Sequence, residues 1–164
     1  SEIFPEEFDL YQSVIPENER GDFIKAFYKQ LTSEDSSERS RAAYAWTRWE
    51  MSTSYLMTKD LSIKKAYNDY FSDSFARIEC HYFINKIFLE ENYILKNIAN
   101  LNNIPVSIVQ GRYDVVCPMR SAWDLHKSMP SSNLYVINNA GHSMKEIGIT
   151  DKLIELTNSL AKDL

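Results

Sequence analysis

Glycine is scarce in this chain of 164 residues. The four glycines are Gly21, Gly111, Gly141 and Gly148. None of them lies in a Gly-x-Ser-x-Gly pattern, which builds the sharp strand-to-helix turn that exposes a nucleophilic serine. The sequence therefore contains no serine nucleophile of that kind, whatever other catalytic groups it carries.

Other scarcities narrow the class of protein. The formal net charge is −5, which argues against nucleic acid or an anionic membrane surface as the main partner. No apolar run approaches the length of a membrane span. The two cysteines, Cys80 and Cys117, are too few for a disulfide framework, so we expect a cytoplasmic protein. The cysteines and histidines do not cluster at metal-ligand spacing, and we expect no metal site.

The first hundred residues carry helical patterns and no strand pattern. Pro16 suits the first turn of a helix whose apolar residues follow at i, i+3 and i+4 spacing. Ser33 is predicted to cap a second helix that runs through Leu56. A third helix is predicted from about 63 to 88. Its apolar side is predicted to comprise Tyr67, Tyr70, Phe71, Phe75, Ile78, Tyr82 and Phe83. Residues 1–102 are therefore predicted to form a helical layer.

The pattern changes at Asn103. The predicted elements that follow are a strand at 105–109, a helix at 118–129, a strand at 134–137 and a helix at 150–160. The first strand is a nearly continuous apolar run, typical of a strand buried on both faces of a parallel sheet. This β-α-β-α order predicts that residues 103–164 form part of a doubly wound α/β sheet.

Asp114 and His142 each come shortly after one of the predicted strands. Taken alone, Asp114 is equally well explained as a solvated turn residue, and a lone histidine in a loop is more often structural. Together they match the acid and base of a hydrolase triad, in which the acid fixes the imidazole tautomer. The acid also precedes the histidine, as in the α/β-hydrolases. We therefore predict that this pair is catalytic, whereas His81 and His126 lack comparable settings.

Two glutamates in the helical half, Glu50 and Glu79, have aromatic neighbours. A carboxylate among aromatic side chains is costly unless a cation meets it. The pattern alone leaves two explanations open. One is a salt bridge to a nearby arginine, such as Arg48 or Arg77, and the other is a pocket for an amino group.

Several strings in the chain resemble the proline iminopeptidase (prolyl aminopeptidase) family of α/β-hydrolases, and the resemblance runs through nearly all positions. The strings are Phe4-Pro5, Trp46-Thr47-Arg48-Trp49-Glu50, Ala76-Arg77-Ile78-Glu79-Cys80-His81-Tyr82-Phe83, Gly111-Arg112-Tyr113-Asp114-Val115-Val116-Cys117-Pro118, Ala122-Trp123-Asp124-Leu125-His126-Lys127 and Ala140-Gly141-His142-Ser143. Gly-Arg-Tyr-Asp and Ala-Trp-Asp-Leu-His-Lys together are specific to this family. The chain departs from it at Cys80, where asparagine is usual, and at Met51, where glycine is common.

The resemblance implies a serine peptidase that releases N-terminal proline from peptides without a cofactor. It implies that Asp114 and His142 are the triad acid and base, and that Glu50 and Glu79 hold the free amine of the substrate. These roles favour the amino-group pocket over the salt bridge.

The resemblance also implies an architecture: a helical cap over 1–102 and the last β-α-β-α of the hydrolase core over 103–164. Family members carry a further N-terminal portion with the oxyanion hole and the serine. Because the chain lacks that serine and its resemblance begins inside the cap, we expect it to be the C-terminal part of such an enzyme, inactive alone. The missing N-terminal portion is then its partner.

Two other interpretations remain open from the sequence. One is a related esterase or amidase with a diverged cap, and the other is a non-catalytic helical interaction module. In addition, the strand at 106–109 is expected to expose an unpaired edge when the N-terminal portion is absent. The isolated chain is therefore expected to form a homo-oligomer or to be poorly soluble.

Overall fold

The computed structural model describes residues 1–57, 64, 68–101 and 103–162, and the chain divides into two compact units. The first unit comprises Ser1–Thr53 and Thr58–Glu90. The second comprises Ser54–Met57 and Glu91–Leu164. Among the described residues, no helix has the length and apolarity that crossing a membrane requires.

The first unit is a set of helices around an aromatic core. The helices are α1 at Pro5–Ser13, α2 at Phe23–Leu31, α3 at Ser36–Thr53 and α4 at Asp69–Ile84. Phe27 and Trp46 are buried at the centre, with their rings in an edge contact at 5.2 Å between centroids. Tyr11 stacks on Phe27 at 4.4 Å and completes this core. For the described residues of this unit the helical prediction is confirmed, although individual helices begin and end elsewhere.

The helix predicted to begin at Pro16 is the first of these differences. Pro16 precedes only a 3-10 turn, Glu17–Glu19. The longer helix α2 begins after Asp22, whose carboxylate accepts a hydrogen bond from the backbone N–H of Lys25 at 3.1 Å. An aspartate at this position satisfies an N–H group that has no partner within the helix, so the helix starts there.

The prediction that Ser33 caps the next helix is wrong. The capping residue is Asp35, whose Oδ1 accepts from the backbone N–H of Ser37 at 2.8 Å. The Ser33 hydroxyl instead accepts from the backbone N–H of Asp35 at 3.2 Å. Serine and aspartate both compete for nearby backbone N–H groups, and here the serine forms the turn that precedes the cap. The helix also ends at Thr53, before the predicted end at Leu56.

Helix α4 buries mainly residues outside the predicted apolar side, of which Phe75 does pack against the core. Its buried residues are Ser72, Ala76 and Cys80, which are small and spaced four apart. Of the predicted apolar side, Tyr70, Ile78, Tyr82 and Phe83 are exposed. Small side chains at this spacing allow α4 to pack closely on α2 and α3.

The bounds of α4 also differ from the prediction. The predicted start of this helix, Ile63, and Tyr67 of its predicted apolar side lie outside the described residues. The helix begins after Asn68, which caps it by accepting from the backbone N–H of Phe71 at 2.9 Å. It ends at Ile84 because Lys86, Ile87 and Phe88 take positive φ angles of 52°, 58° and 58°, which a right-handed helix does not allow.

The second unit has the predicted β-α-β-α order. Short helical segments, α5 at Tyr93–Lys96 and a 3-10 turn at Ile98–Leu101, precede β1 at Ser107–Gly111, α6 at Met119–Ser128, β2 at Asn133–Ile137 and α7 at Ile147–Leu160. Pro118 is the N-cap of α6, as its position suggested. The strands pair in parallel, from Ser107 opposite Asn133 to Gly111 opposite Ile137.

Strand β1 is less buried than predicted. Its central residues are half-buried rather than buried on both faces. Within the described ranges the sheet consists of β1 and β2 alone, so only β2 flanks β1 there. Because the strands are parallel, their carboxyl ends lie at the same edge of the sheet. The loops that carry Asp114 and His142 both begin at that edge.

Candidate active site

The turn after β1 carries Asp114 and extends the contact with the neighbouring strand. Beyond the strand, the backbone N–H of Arg112 donates to Ile137 at 2.9 Å and that of Tyr113 donates to Ala140 at 3.0 Å. Gly111 has no space for a side chain, because a Cβ there would collide with the carbonyl oxygen of Gly141. The two loops are therefore held against each other by backbone contacts.

The carboxylate of Asp114 is buried and fully engaged. Its Oδ1 accepts from the backbone N–H groups of Val116 and Cys117 at 3.0 and 2.7 Å. Its Oδ2 accepts from Gln110 Nε2 at 3.0 Å and contacts His142 Nδ1 at 2.9 Å. The Asp114 side chain is only 4% exposed, so these contacts hold it in one orientation.

His142 is the more accessible member of the pair, with its side chain 38% exposed. A carboxylate can only accept hydrogen bonds, so the contact with Asp114 requires the proton of a neutral imidazole to sit on Nδ1. The second nitrogen, Nε2, is then unprotonated and can take a proton from another group. The structure thus brings the predicted acid and base together in the geometry that general-base chemistry needs.

Glu50 and Glu79 lie in the first unit, on α3 and α4. Glu79 Oε2 accepts a hydrogen bond from the indole Nε1 of Trp46 at 2.6 Å. The salt-bridge explanation for these glutamates fails for the two arginines named above. Arg48 binds Glu7 through two contacts of 2.7 and 2.8 Å.

Arg77, the other arginine in question, binds Asp73 at 3.3 Å. This pair lies on the exposed side of α4, one turn apart. Both arginines are therefore engaged by other carboxylates.

Glu50 lies in an environment that disfavours its negative charge. Burial, and secondly the charge of Glu79, raise the pKa of Glu50 to about 7. Nearby, the pKa of Tyr11 is raised by burial and by the charges of Glu50 and Glu79. The pKa of the Cys80 thiol is raised to about 11, chiefly by burial. The negative charges of Glu50 and Glu79 therefore oppose each other in this part of the first unit.

The other two histidines have ordinary surroundings. His126 Nδ1 contacts the Ser132 hydroxyl at 2.8 Å, and His81 lies on the exposed side of α4 with its ring near Phe88. In the part of the chain that the structure describes, no three His, Cys, Asp or Glu side chains are grouped so that they could hold a metal ion.

Sequence reasoning missed Gln110 and Trp46, which support the acid and Glu79. Gln110 comes directly after the apolar run, as an interruption before Gly111, and a half-buried amide in that position must find a hydrogen-bonding partner. That interruption was the available signal. Trp46 lies in the Trp-Thr-Arg-Trp-Glu string, but no spacing rule connects it with a residue on α4.

A family described as the alpha/beta hydrolase fold matches residues 1–148 of the chain. The chain belongs to the α/β-hydrolase family. In such hydrolases the triad groups lie in loops at the carboxyl ends of strands, with the acid before the histidine. Asp114 after β1 and His142 after β2 occupy positions of this kind.

Relatives of this α/β-hydrolase chain are named proline iminopeptidases, which confirms the resemblance. The chain is 52% identical to a probable proline iminopeptidase from Leptolyngbya boryana over 94% of this chain and 49% of the relative. It is 47% identical to a proline iminopeptidase from Arabidopsis thaliana, over 93% of this chain and 40% of the relative. It is 48% identical to a proline iminopeptidase from Xylella fastidiosa, over 97% of this chain and 51% of the relative.

The chain spans about half the length of the curated relatives it matches, in their C-terminal part. Among solved structures, an esterase (EaEST) from Exiguobacterium antarcticum covers 96% of this chain and 48% of its own, with 18% identity and a TM-score of 0.37. That likeness is too weak to add to the family assignment.

Proposed function

We propose that this chain supplies the acid, the base and the amine-binding carboxylates of a serine peptidase that releases N-terminal proline from peptides. The observation that carries the proposal is the 2.9 Å contact between His142 Nδ1 and Asp114 Oδ2. The names of the relatives, proline iminopeptidase, support the choice of substrate. The serine nucleophile belongs to a part of the complete protein outside this chain.

The proposed reaction uses His142 twice. A serine attacks the carbonyl carbon of the N-terminal proline while His142 Nε2 accepts the hydroxyl proton. Nε2 then donates that proton to the leaving amine, so the peptide C–N bond breaks as the serine ester forms. Water attacks the ester by the same route and releases proline and the serine hydroxyl. Throughout, Asp114 keeps the Nδ1 proton in place and stabilises the imidazolium.

Glu50 and Glu79 are proposed to bind the ammonium group of the substrate. Two carboxylates bordered by the rings of Trp46 and Tyr11 favour a cation attached to a flat, apolar pyrrolidine ring. An acylated N-terminus carries no charge, so the two carboxylates do not attract it and it is rejected.

A comparison of three substrates tests this function on the complete protein. A prolyl arylamide should be cleaved, its N-acetylated form should be resistant, and an acetate ester should be a poor substrate. Efficient cleavage of the ester without discrimination between the free and acetylated amines would indicate an esterase or amidase with a diverged cap. No turnover of any of the three would contradict the proposal and favour a non-catalytic interaction module.

Glu50→Gln and Glu79→Gln are expected to raise KM for the prolyl arylamide. Each change removes a charge-assisted contact with an ammonium, worth roughly 1.5–3 kcal/mol, or about 10- to 150-fold. Turnover of the acetate ester, which lacks an ammonium, should stay unchanged in both variants. Glu34→Gln, an exposed glutamate ahead of α3, is the matched control and should leave KM unaltered.

The effect of Glu50→Gln should also depend on pH. Because the pKa of Glu50 is raised to about 7, this carboxyl is mostly protonated at pH 6 and mostly ionised at pH 8. Glutamine resembles the protonated acid, so the ratio of kcat/KM between wild type and variant should be several-fold smaller at pH 6, where about a tenth of Glu50 is ionised, than at pH 8. A ratio of one across this range, with kinetics unchanged in both glutamine variants, would remove these residues from the amine site.

The proposal includes the partners and the compartment. The substrate is a peptide with N-terminal proline, and the N-terminal portion of the same protein supplies the serine and the oxyanion hole. A cytoplasmic location is supported by the cysteine content, because Cys80 and Cys117 alone are too few for a disulfide framework. Self-association of the isolated chain through the free edge of β1 remains a prediction.

A further inference from the structure

The turn that carries His142 is held by a segment distant in sequence. The carbonyl oxygen of Ser54 accepts from the backbone N–H groups of His142 and Ser143 at 3.1 and 2.7 Å. Glu146 Oε1 accepts from the backbone N–H groups of Gly141 and Leu56 at 2.7 and 3.0 Å. We call these four hydrogen bonds the His142 clamp.

The clamp leaves the backbone around His142 little freedom. The N–H groups of three consecutive residues, Gly141, His142 and Ser143, are all engaged by it. There is also no space for a side chain at Gly141, because a Cβ there would lie 2.8 Å from the backbone nitrogen of Leu56 and 3.0 Å from Glu146 Oε1. A side chain in this position would have to push the clamp apart.

Glu146 is well placed to fix the clamp because its own backbone is anchored. It precedes α7, and its carbonyl oxygen accepts from the N–H groups of Ile149 and Thr150 at 3.0 and 2.9 Å. Its N–H donates to the carbonyl of Ser143 at 3.0 Å, which closes the turn. One carboxylate thus ties the turn, the start of α7 and the segment at Leu56 together.

We propose that Glu146 is a positioning residue for His142, acting through the backbone of the turn rather than on the imidazole. The Nδ1 atom of His142 contacts Asp114, whereas the Glu146 oxygen in question contacts two backbone N–H groups. Glu146 therefore sets where the imidazole stands, and Asp114 sets which nitrogen carries the proton. The inference rests on the proposed role of His142 as the base.

A geometric role makes a specific demand on the side chain at position 146. It must place an acceptor oxygen at the end of a stem as long as that of glutamate, whether or not the group is charged. Glutamine meets this demand and aspartate does not, because aspartate keeps the charge on a shorter stem. The two variants therefore separate reach from charge.

The experiment compares Glu146→Gln, Glu146→Asp and Glu146→Ala in the complete protein. We expect kcat for a prolyl arylamide to fall about 10²-fold in the alanine and aspartate variants, the loss typical of a catalytic group displaced by about 1 Å. KM should change little, since the amine site is untouched. Glu146→Gln should retain kcat within a few-fold. Glu155→Ala, on the exposed side of α7, is the matched control and should retain full kcat.

Each outcome decides the inference. If Glu146→Asp is more active than Glu146→Gln, the charge matters and the positioning role is wrong. A Glu146→Ala variant that keeps full kcat would also show that the positioning role is wrong. If the alanine variant does not fold, the ranking of the glutamine and aspartate variants still decides. If the wild type cleaves the acetate ester but no prolyl arylamide, the proposed function fails, and the same ranking measured on the ester tests Glu146 separately.

Discussion

Replacing His142 with alanine in the complete protein is expected to lower kcat for a prolyl arylamide by about 10⁶-fold, the loss found when the histidine of a serine-protease triad is removed. Without an imidazole nitrogen, nothing near the serine hydroxyl takes its proton, and the leaving amine receives none. The His142 side chain is 38% exposed, so its removal leaves no buried cavity. The midpoint of thermal unfolding should therefore change little.

His126→Ala is the matched control for this prediction. His126 lies on α6 in the same unit as His142. Its Nδ1 atom contacts the hydroxyl group of Ser132, and it has no part in the proposed reaction. Turnover of the His126 variant should stay within a few-fold of wild type. A His142→Ala enzyme that keeps most of its kcat and unfolds normally would show that His142 is not the base.

The second half of the fold was predictable because its signals are local. An apolar run that ends at a glycine, a proline that opens a helix and a second apolar run define β1, α6 and β2 without reference to the rest of the chain. The first half was harder. Ser33 and Asp35 are both good caps, and the choice between them depends on how the preceding turn closes, which no pattern encodes.

The buried face of α4 illustrates a different limit. Large apolar residues usually mark the face of a helix that meets the core. Here the face that meets α2 and α3 carries Ser72, Ala76 and Cys80, because close approach of the helices needs small side chains. Hydrophobicity alone therefore identified Phe75, which packs against the core, but missed the small residues that are most deeply buried.

The candidate site divides in the same way. Asp114 and His142 were predictable, because each follows a strand and the parallel order brings the two strand ends together. The contacts that support them were not. Glu146 reaches Leu56 across 90 positions, and Trp46 reaches Glu79 across 33. Such pairs are created by tertiary packing and leave no periodic trace in the sequence.

The second large effect concerns Asp114→Asn, which is expected to lower kcat by about 10⁴-fold. Oδ1 of Asp114 accepts from two backbone N–H groups, of Val116 and Cys117. An asparagine must keep its oxygen there, because the two backbone N–H groups are fixed donors, whereas the Gln110 amide that donates to Oδ2 can rotate. The NH₂ group is thereby directed at His142, where it donates to Nδ1. The imidazole proton then moves to Nε2, and the nitrogen that should act as the base is blocked.

This reasoning predicts a change of tautomer as well as a loss of rate, and the two can be measured independently. Nitrogen-15 NMR of the neutral imidazole should find the proton on Nδ1 in the wild type and on Nε2 in Asp114→Asn. Asp124→Asn, which removes a carboxylate from an exposed ion pair with Arg120 on α6, is the control and should alter neither tautomer nor kcat. If Asp114→Asn loses activity while the proton stays on Nδ1, Asp114 acts mainly by stabilising the imidazolium charge. If the variant retains most of its kcat, Asp114 is not the triad acid, and the 2.9 Å contact with His142 is structural.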